Sequence, residues 1–506
     1  MNKIKENKFE ILIFIVEAVC MILEIVASRV LSPFFGSSQV VWTSVIAIIL
    51  LSSSIGNYIG GKIADGDNKE YNLKLILISA AILTFIIPII QFSLIATIAT
   101  LINDIRIGAI IATSALFLAP SIFLGMIPPI ILKHKLQGLD DAGKTSGRIT
   151  AISTIGGITG TILGGFFLVP NIGSVQILFV LALILTILSI FPAKAKNKMI
   201  VLFTTLLIIA SIIGLMLSTH SNSSMEDKIL SGVINTQISY DTEYGRALIQ
   251  NREINGEAVR IMNIDSGYET IAYISEEKKN EPYSKYIMNY DLMFKSSNTI
   301  NDVLMIGGAG YSYPRYYLTK YKDKKIDVVE IDAKVTEIAK KYFFLDDVIK
   351  ELELENNNRL ALINEDGRTF LNRNSKKYDA ILNDAFSGNV PAKVLTTIEA
   401  VQNIKDSLVK DGLYLTNIIG SEEGKYSNFL KAEVNTIRQV FNNVYVFPII
   451  SESETFDTRD RSLRRNNIVI ATDQNLDLEN TIELDIKENE IIITDDYCPV
   501  DTLVVP

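Results

Sequence analysis

Apolar residues are concentrated in the first half of the chain, where seven long hydrophobic runs are separated by short polar segments. The runs cover residues 9–27, 41–60, 73–98, 107–132, 149–169, 175–191 and 199–217. Most are close to the ~20 residues that a helix needs to cross the hydrocarbon core of a bilayer. The pattern predicts an N-terminal α-helical bundle of about seven helices in a multi-pass protein of the cell membrane, in contact with membrane lipid.

Two features inside this half bear on how its helices pack. The glycines of GGITGTILGG (156–165) allow close helix approach, so we interpret this run as a packing surface. Glu17, Glu24 and Arg29 are ionisable groups in or beside the first helix, where an unpaired charge is costly. They indicate either a polar site inside the bundle or a structural ion pair.

The pattern changes after a polar linker at 220–227. Asn255-Gly256 lies between the alternating segments RALIQN and AVRIMNI, which is a strong signal for a β-hairpin. From Asp302 onward, strand-like and helix-like segments alternate, as is typical of an α/β doubly wound, Rossmann-like domain of the methyltransferase type with a parallel sheet. We predict a membrane domain at 1–219, a linker and small β-subdomain at 220–300, and a Rossmann-like nucleotide-binding domain at 301–506.

A glycine-rich turn with Gly307, Gly308 and Gly310 follows the predicted strand VLMI. Because glycine has no Cβ, the backbone N–H groups of such a turn can approach a ligand closely. Glu330 lies 20 positions after Gly310, at the end of the next apolar strand. A carboxylate there can accept hydrogen bonds from both ribose hydroxyls, so these residues predict a site for an adenosine-containing ligand.

Two further acids end predicted strands. Asp366, in NEDGRTF, is placed to accept a hydrogen bond from an adenine amino group or to cap the helix that begins near Gly367. Asp384, in YDAILND, is placed to take a proton from an amine or to cap a turn. Since ligands of doubly wound sheets bind at the carboxyl ends of the strands, both acids are candidate site residues.

Composition narrows the classes of function. The net charge of -9 arises mainly in the second half and gives no electrostatic reason to expect nucleic-acid binding. The two cysteines, Cys20 and Cys498, form neither a disulfide framework nor a zinc motif, and the sequence has no cluster of metal-ligand type. We interpret His134 and His220, both in polar segments, as solvated.

Lysine and arginine fall mostly in alternate loops of the first half, which predicts a cytoplasmic N-terminus. Seven crossings would then place the second half outside the cell, where an adenosine-based donor is not normally supplied. Either one run does not cross, of which 175–191 is the shortest, or the second half faces outward. The side of the soluble half is therefore left open.

Six segments of the second half, in this order and at this spacing, resemble the spermidine synthase (polyamine aminopropyltransferase) family. They are VLMIGGAG, DVVEID, NEDGRTFL, YDAILNDAF, VPAKVLTT and DGLYLTNI. In the first half, SPFFGSSQVVW and GNYIGGKIAD resemble the form of this family that is fused to an N-terminal multi-pass membrane domain.

This resemblance implies a transferase of polyamine biosynthesis. Such an enzyme moves an aminopropyl group from decarboxylated S-adenosylmethionine to a small-molecule amine and releases methylthioadenosine. The donor is a co-substrate, so no permanently bound cofactor is implied. By the same resemblance, Glu330 binds the ribose, Asp366 with Gly367 contacts the adenine, and Asp384 deprotonates the amine. Asp265 in NIDSG and Tyr283 in EPYSKY match the substrate-side segments of the family.

The chain departs from the family pattern at two acids. Gly310 replaces the aspartate that faces the aminopropyl amine, and Ser387 replaces the second acid of the loop that follows the fourth strand. The terminal segment TDDYCPVD contains Asp495, Asp496 and Asp501, which form either a group of acids folded over the pocket or a solvated tail.

Two other functions therefore stay open. One is a methyltransferase that uses intact S-adenosylmethionine, because the sheet and the ribose acid serve both donors. The other is a transporter or sensor whose soluble half binds a nucleoside or polyamine without chemistry. The sequence fixes neither the acceptor amine nor the oligomeric state, and a homo-oligomer is left open.

Overall fold

The computed structural model describes residues 7–36, 39–102, 104–136, 142–192, 198–265, 267–296, 299–387, 390–451, 454–487 and 490–504. The side chains of 39–40, 220–224, 387, 390 and 501 lie outside this description. The chain divides into two compact units. The first is Met1–Asp227 with Ile238–Ala247, and the second is Lys228–Gln237 with Leu248–Pro506.

The first unit is a bundle of apolar helices. They are α1 (Lys8–Phe35), α2 (Gln39–Ala64), α3 (Lys69–Leu101), α4 (Ile105–Thr113), α5 (Ala119–Gly125), α6 (Ile127–Lys135), α7 (Ala142–Ile162), α8 (Val169–Ile172), α9 (Ser174–Leu188) and α10 (Lys198–Leu230). A π-helical segment joins α4 to α5 and another joins α7 to α8, at Ser114–Leu118 and Leu163–Leu168. Among the described residues, six helical stretches are long and apolar enough to cross a membrane, and α9 is a shorter seventh.

Glycines of α7 bring it close to α1. A Cβ added at Gly156 would collide with the backbone of Phe14, and one added at Gly160 would collide with the backbone of Ala18. A larger residue at either position would push the two helices apart. The packing interpretation of the glycine-rich run is therefore confirmed at these two positions.

One end of the bundle is basic and is joined by ion pairs between helices. They are Lys8–Glu70 at 3.0 Å, Lys135–Glu10 at 3.4 Å, Arg148–Glu10 at 2.9 Å and Lys133–Asp65 at 2.9 Å. Lys8 Nζ also donates to the carbonyl of Pro192, just beyond α9, at 3.4 Å. The start of α1 and the chain after α9 therefore lie at this same end.

The beginning of α9 lies at the opposite end of the bundle. Ser174 N donates to Asp241 Oδ2 at 2.6 Å, and Arg29, near the end of α1, donates to the carbonyl of Glu243 at 2.5 Å. Helix α9 thus runs from one end of the bundle to the other although it has only 15 helical residues. It packs against α1 and α3, and most of its side chains are buried.

A four-stranded sheet follows, and its strands have the order β1 (Thr236–Asp241), β2 (Arg246–Ile254), β3 (Glu257–Ile264) and β4 (Gly267–Tyr273). Asn255 and Gly256 join β2 to β3 with φ of 52° and 79°, as a type I′ turn requires, so the predicted hairpin is confirmed. The segment 220–227, predicted to be a polar linker, lies within α10, which continues to Leu230. The division at 219/220 and 300/301 stays a prediction.

A seven-stranded sheet forms the centre of the second unit. Its strands are β5 (Asp302–Ile306), β6 (Lys325–Glu330), β7 (Leu360–Asn364), β8 (Tyr378–Asn383), β11 (Leu408–Gly420), β12 (Asn443–Pro448) and β13 (Arg465–Thr472). A separate two-stranded pair is β9 (Phe386–Ser387) with β10 (Val390–Pro391). The large sheet has the order β12-β13-β11-β8-β5-β6-β7.

This sheet is mixed, which corrects the prediction of a parallel one. Neighbouring strands from β7 to β11 pair in parallel, whereas β13 is antiparallel to β11 and β12 is antiparallel to β13. The α/β doubly wound, Rossmann-like fold itself is confirmed. Because the five parallel strands share one direction, their carboxyl ends meet at a single edge of the sheet.

Helices cover both faces of the large sheet. They are α11 (Ser312–Lys320), α12 (Ala333–Tyr342), α13 (Leu345–Glu351), α14 (Leu354–Asn357), α15 (Gly367–Arg373), α16 (Ile398–Asp406), α17 (Asn428–Arg438) and α18 (Val500–Leu503). Alternate residues of β5 enter two apolar cores, with Leu304 and Ile306 in one and Val303 and Met305 in the other. This alternation fixes the register of the central strand.

Candidate active site

The glycine turn after β5 and the acid after β8 meet at the edge of the sheet. Asp384 N donates to the carbonyl of Ile306 at 2.9 Å. Gly307 has φ of 92°, and a Cβ there would lie 2.5 Å from the carbonyl oxygen of Asp384. Only glycine fits both requirements, so Gly307 allows the turn to lie directly against Asp384.

Asp384 accepts hydrogen bonds from two neutral side chains. Tyr286 Oη donates to Oδ2 at 3.1 Å, and Asn417 Nδ2 donates to Oδ1 at 3.3 Å. Burial raises the pKa of Asp384, and the hydrogen bonds from Asn417 and Tyr286 partly oppose this rise. A carboxylate with a raised pKa and fixed orientation is suited to receiving a proton from a bound amine.

A cavity of about 230 Å³ opens beside this carboxylate. Its lining comes from β4, the segment before β5, β5 with the glycine turn that follows it, the start of α11, the residues after β8, the end of β11 and the start of β13. The lining residues are Tyr268, Glu269, Thr270, Tyr286, Ile287, Met305, Gly307, Gly308, Ala309, Ser312, Tyr313, Asp384, Phe386, Asn417, Ile419 and Asn466. Gly307, Gly308 and Asp384 are therefore brought together around one space.

Glu330 contacts the same glycine turn but does not line this cavity. Its Oε2 accepts from Gly308 N at 2.8 Å and Ala309 N at 3.0 Å, while Oε1 accepts from Asp332 N at 3.1 Å. Burial raises the pKa of Glu330, and the three backbone donors oppose this rise. The carboxylate thus connects the end of β6 to the turn.

The space beside Gly310 is filled by the side chain of a neighbouring residue. Its N–H donates to Thr270 Oγ1 at 2.8 Å, and a Cβ at this position would collide with the Thr270 side chain. Thr270 therefore occupies the space into which a side chain at position 310 would extend. This contact gives a physical reason why no acid is present at this point of the turn.

Asp366 and Gly367 lie at the start of α15. Asp366 accepts a hydrogen bond from Thr369 N at 2.8 Å and caps the helix. A Cβ at Gly367 would approach Ile306 Cγ2 to 2.6 Å, which places the first turn of the helix close against β5. Both residues lie near the strand ends but outside the lining of the cavity.

The two residues predicted on the substrate side also lie outside this lining. Asp265 is in the turn between β3 and β4 and has φ of 50°. The ring of Tyr283 packs against that of Tyr273, with centroids 5.2 Å apart. Three residues further along, Tyr286 enters the cavity instead and donates to Asp384.

The terminal acids fold back onto the second unit at a different place. Asp495 pairs with Arg368 of α15 at 2.8 Å and accepts a hydrogen bond from Thr397 at 2.7 Å. Asp496 is exposed. Neither lines the cavity, and the side chains of Ser387 and Asp501 lie outside the described residues.

Sequence reasoning missed Tyr286, Asn417 and Thr270. Asn417 is the last polar residue of the segment DGLYLTNI and lies near the end of β11, so the strand-end rule that found Asp384 points close to it. Tyr286 and Thr270 reach the cavity from outside the parallel strands, and no spacing in the sequence indicates this.

A Rossmann-like sheet with a glycine turn, a strand-end acid and a cavity between them is typical of nucleotide-binding domains. The family model described as "Spermine/spermidine synthase domain" matches residues 280–454. The second half of the chain thus contains a spermidine synthase domain, which is a domain of the aminopropyltransferase class of transferases.

Known proteins similar to the chain include two named polyamine aminopropyltransferase. The protein of Vibrio vulnificus is 28% identical over 220 residues, which are 40% of this chain and 69% of that protein. The protein of Clostridium botulinum is 29% identical over 215 residues, 40% of this chain and 74% of that protein. The crystal structure of a probable spermidine synthase from Corynebacterium glutamicum has a TM-score of 0.39 and 18% identity, and covers 48% of this chain and 82% of that one.

Proposed function

We propose that the protein is a membrane-bound enzyme that transfers the aminopropyl group of decarboxylated S-adenosylmethionine to an amine acceptor and releases methylthioadenosine. The main support is the position of Asp384, whose carboxylate faces the cavity directly beside the glycine turn. The two similar polyamine aminopropyltransferases support the same class of reaction.

In the proposed reaction, the neutral amine nitrogen attacks the methylene carbon next to the sulfonium. A carbon–nitrogen bond forms, the carbon–sulfur bond breaks, and its electron pair stays on sulfur, which becomes a neutral thioether. The acceptor is an ammonium ion in water near neutral pH and must lose a proton. Asp384 takes this proton, while the hydrogen bonds from Tyr286 and Asn417 hold its carboxylate towards the cavity.

The donor would bind along the glycine turn. Gly307 and Gly308 would allow the donor to approach the backbone of the turn closely. Glu330 is held beside the turn by hydrogen bonds from three backbone N–H groups. Oε2 already accepts two of these hydrogen bonds, whereas Oε1 accepts one, so Oε1 retains acceptor capacity for a ribose hydroxyl. Asp366 and Gly367 are proposed adenine contacts, because they lie at the next strand end along the sheet. This arrangement would orient the donor, and orientation is a large part of catalysis between two bound reactants.

Six apolar helices of crossing length support a multi-pass location in the cell membrane, and the basic loops support a cytoplasmic N-terminus.

The test is product analysis with the full-length protein in detergent. Decarboxylated and intact S-adenosylmethionine are each supplied with 1,4-diaminobutane, and the products are identified by mass spectrometry. We expect methylthioadenosine and an aminopropylated amine from the decarboxylated donor alone. S-adenosylhomocysteine from the intact donor would replace the proposal with a methyltransferase. Binding without any product would favour a sensor or transporter.

A further inference from the structure

A second, much smaller cavity lies on the other face of the large sheet, at the end of β8. Its volume is about 10 Å³, just large enough for one water molecule. Ile418 in its lining belongs to one apolar core of the sheet, whereas Met305 in the lining of the first cavity belongs to the other. Asn383 lines the second cavity and Asp384 lines the first, so the two cavities lie on either side of the strand end.

Two buried oxygens at the second cavity have no hydrogen-bond partner among the described residues. They are Oδ1 of Asn383, the last residue of β8, and Oε2 of Glu433, on α17. Asn383 is 6% exposed and Glu433 is 2% exposed. Asn417 also has an unpartnered oxygen, but its side chain lies with Asp384 at the first cavity. A buried acceptor without a donor is costly, so the oxygens of Asn383 and Glu433 need one.

The amide of Asn383 is oriented by Tyr414, on the neighbouring strand β11. Asn383 Nδ2 donates to Tyr414 Oη at 3.2 Å, which leaves Oδ1 as the end of the amide that still needs a donor. Burial raises the pKa of Tyr414, and the nearby carboxyl group of Glu433 adds to this rise. An amide oxygen and an ionised carboxylate only accept hydrogen bonds, so they cannot satisfy each other. A protonated carboxyl group can donate, which would satisfy both.

The surroundings of Glu433 favour this protonated form. Burial raises the pKa of Glu433 well above its ordinary value. No lysine or arginine of the described part of the chain pairs with its carboxyl group. The titratable groups near it are the Tyr414 hydroxyl, from β11, and the Cys498 thiol, from the terminal segment. Burial raises the pKa of both, so neither brings a charge to Glu433 near neutral pH.

We propose that Glu433 is a positioning residue whose protonated carboxyl group donates a hydrogen bond to Asn383 Oδ1, directly or through one water molecule, and thereby fixes the strand end that carries Asp384. Asp384 follows Asn383 directly, so its orientation depends on the conformation of this strand end. Phe386, which lines both cavities, depends on the same packing. The inference rests on the proposed function, because it assigns Glu433 an effect on the carboxylate that receives the proton.

Two variants of the full-length protein in detergent test the effect on turnover. Glu433→Gln retains a donor and an acceptor, so it should release methylthioadenosine at the rate of the wild type. Glu433→Leu has a similar volume but no donor, so kcat should fall by about 10-fold. The calorimetric affinity of both variants for methylthioadenosine should equal that of the wild type, because Glu433 lies outside the first cavity.

A second measurement needs no turnover. The midpoint of thermal unfolding is compared between the wild type and Glu433→Gln from about pH 5 to about pH 8. Above the ordinary pKa of 4.5 the unfolded chain releases the proton of Glu433, whereas the folded protein keeps it. Rising pH therefore favours unfolding of the wild type more than of the variant. We expect Glu433→Gln to unfold at the higher temperature, by a difference that grows with pH.

Glu479→Gln makes the same change at an exposed position and should match the wild type in both measurements. A Glu433→Gln variant that is slower and less stable than the wild type would overturn the inference. It would show that Glu433 is ionised and accepts from an Asn383 amide of the opposite orientation. Equal turnover in the wild type and Glu433→Leu, or a difference in unfolding temperature that does not grow with pH, would also overturn it.

These outcomes are separable from those of the proposed function. If the wild type releases no methylthioadenosine, the transfer reaction is refuted. The hydrogen bond between Glu433 and Asn383 then stands or falls on the pH dependence of unfolding alone.

Discussion

The protonation of Asp384 depends on two opposing influences at a single residue. Burial favours the neutral acid, whereas the donors Tyr286 and Asn417 favour the carboxylate. The net effect is a raised pKa, which makes Asp384 a stronger base than an exposed aspartate while leaving it ionised over part of the accessible pH range. These neighbours therefore control the pH range in which the proposed base works.

This environment predicts a shift in the pH dependence of turnover. The base must be deprotonated, so kcat should fall as the pH falls through the raised pKa of Asp384, above the ordinary value of 3.8. Tyr286→Phe removes a donor that lowers this pKa, so the acid limb should move to higher pH. Tyr268→Phe, which removes an exposed hydroxyl from the lining of the same cavity, should leave the limb in place. If the acid limb of Tyr286→Phe lies at the same pH as that of the wild type, the hydrogen bond from Tyr286 does not control the pKa of Asp384.

The lining of the cavity could be predicted only in part from the sequence. Gly307, Gly308 and Asp384 follow parallel strands, and the rule that the carboxyl ends of such strands meet at one edge correctly places them together. Tyr286 and Glu269 enter from the preceding β-subdomain and its connection to β5. Their positions depend on tertiary packing and on a one-residue bulge in β4, and neither has a periodic signature in sequence.

At the scale of elements, the site depends on the contact between the glycine turn and β4. The hydroxyl of Thr270 satisfies the backbone N–H of Gly310, and its side chain fills the space beside that glycine. The two elements are thus fitted to each other. A substitution in one element should therefore alter the packing of the other.

A double-mutant cycle tests this fit. Gly310→Ala should destabilise by about 1–3 kcal/mol through overpacking. Thr270→Ala should destabilise by about 1–3 kcal/mol because it leaves the Gly310 N–H without its partner. The double variant should cost less than the sum, since removing the Thr270 side chain makes room for the new methyl group. Calorimetric unfolding of the full-length protein measures each, with Gly147→Ala, which has open space around it, as the control. If the two losses of stability add, the side chain of Thr270 and the space beside Gly310 are not fitted to each other.

The elements themselves were predicted unequally well. The alternation of strands and helices predicted from Asp302 onward is observed as far as β11, because apolar runs of strand length alternate there with amphipathic ones. Strands β12 and β13 were not predicted. Their antiparallel pairing is a long-range contact, and RNNIVIAT begins with polar residues that give little alternation.

At the scale of the whole molecule, the path of the chain through the first unit bears on membrane topology. The short helix α9 joins the two ends of the bundle, as the contacts of Ser174 and Pro192 show. Within the part of the chain that the structure describes, counting it with the six longer stretches gives seven passages, an odd number. The basic end contains the start of α1.

This path predicts that the N-terminus and the soluble half lie on opposite sides of the membrane. Epitope tags at the two termini should differ in protease accessibility in intact spheroplasts, with the C-terminal tag cleaved and the N-terminal tag protected. Permeabilised spheroplasts, in which both are cleaved, are the control. Two protected tags would mean that α9 does not cross. With the predicted arrangement, the donor has to be added outside spheroplasts to obtain product.

The role of Asp384 is tested most directly by the effect of Asp384→Asn on turnover and on nucleotide binding, measured together. The substitution keeps the shape of the side chain and removes its ability to accept the proton. We expect release of methylthioadenosine to fall by about 100-fold or more, with the calorimetric affinity for methylthioadenosine nearly unchanged. Asp477→Asn, at an exposed position, should behave as the wild type. Turnover of Asp384→Asn at the rate of the wild type would contradict the role of Asp384 and the reaction derived from it.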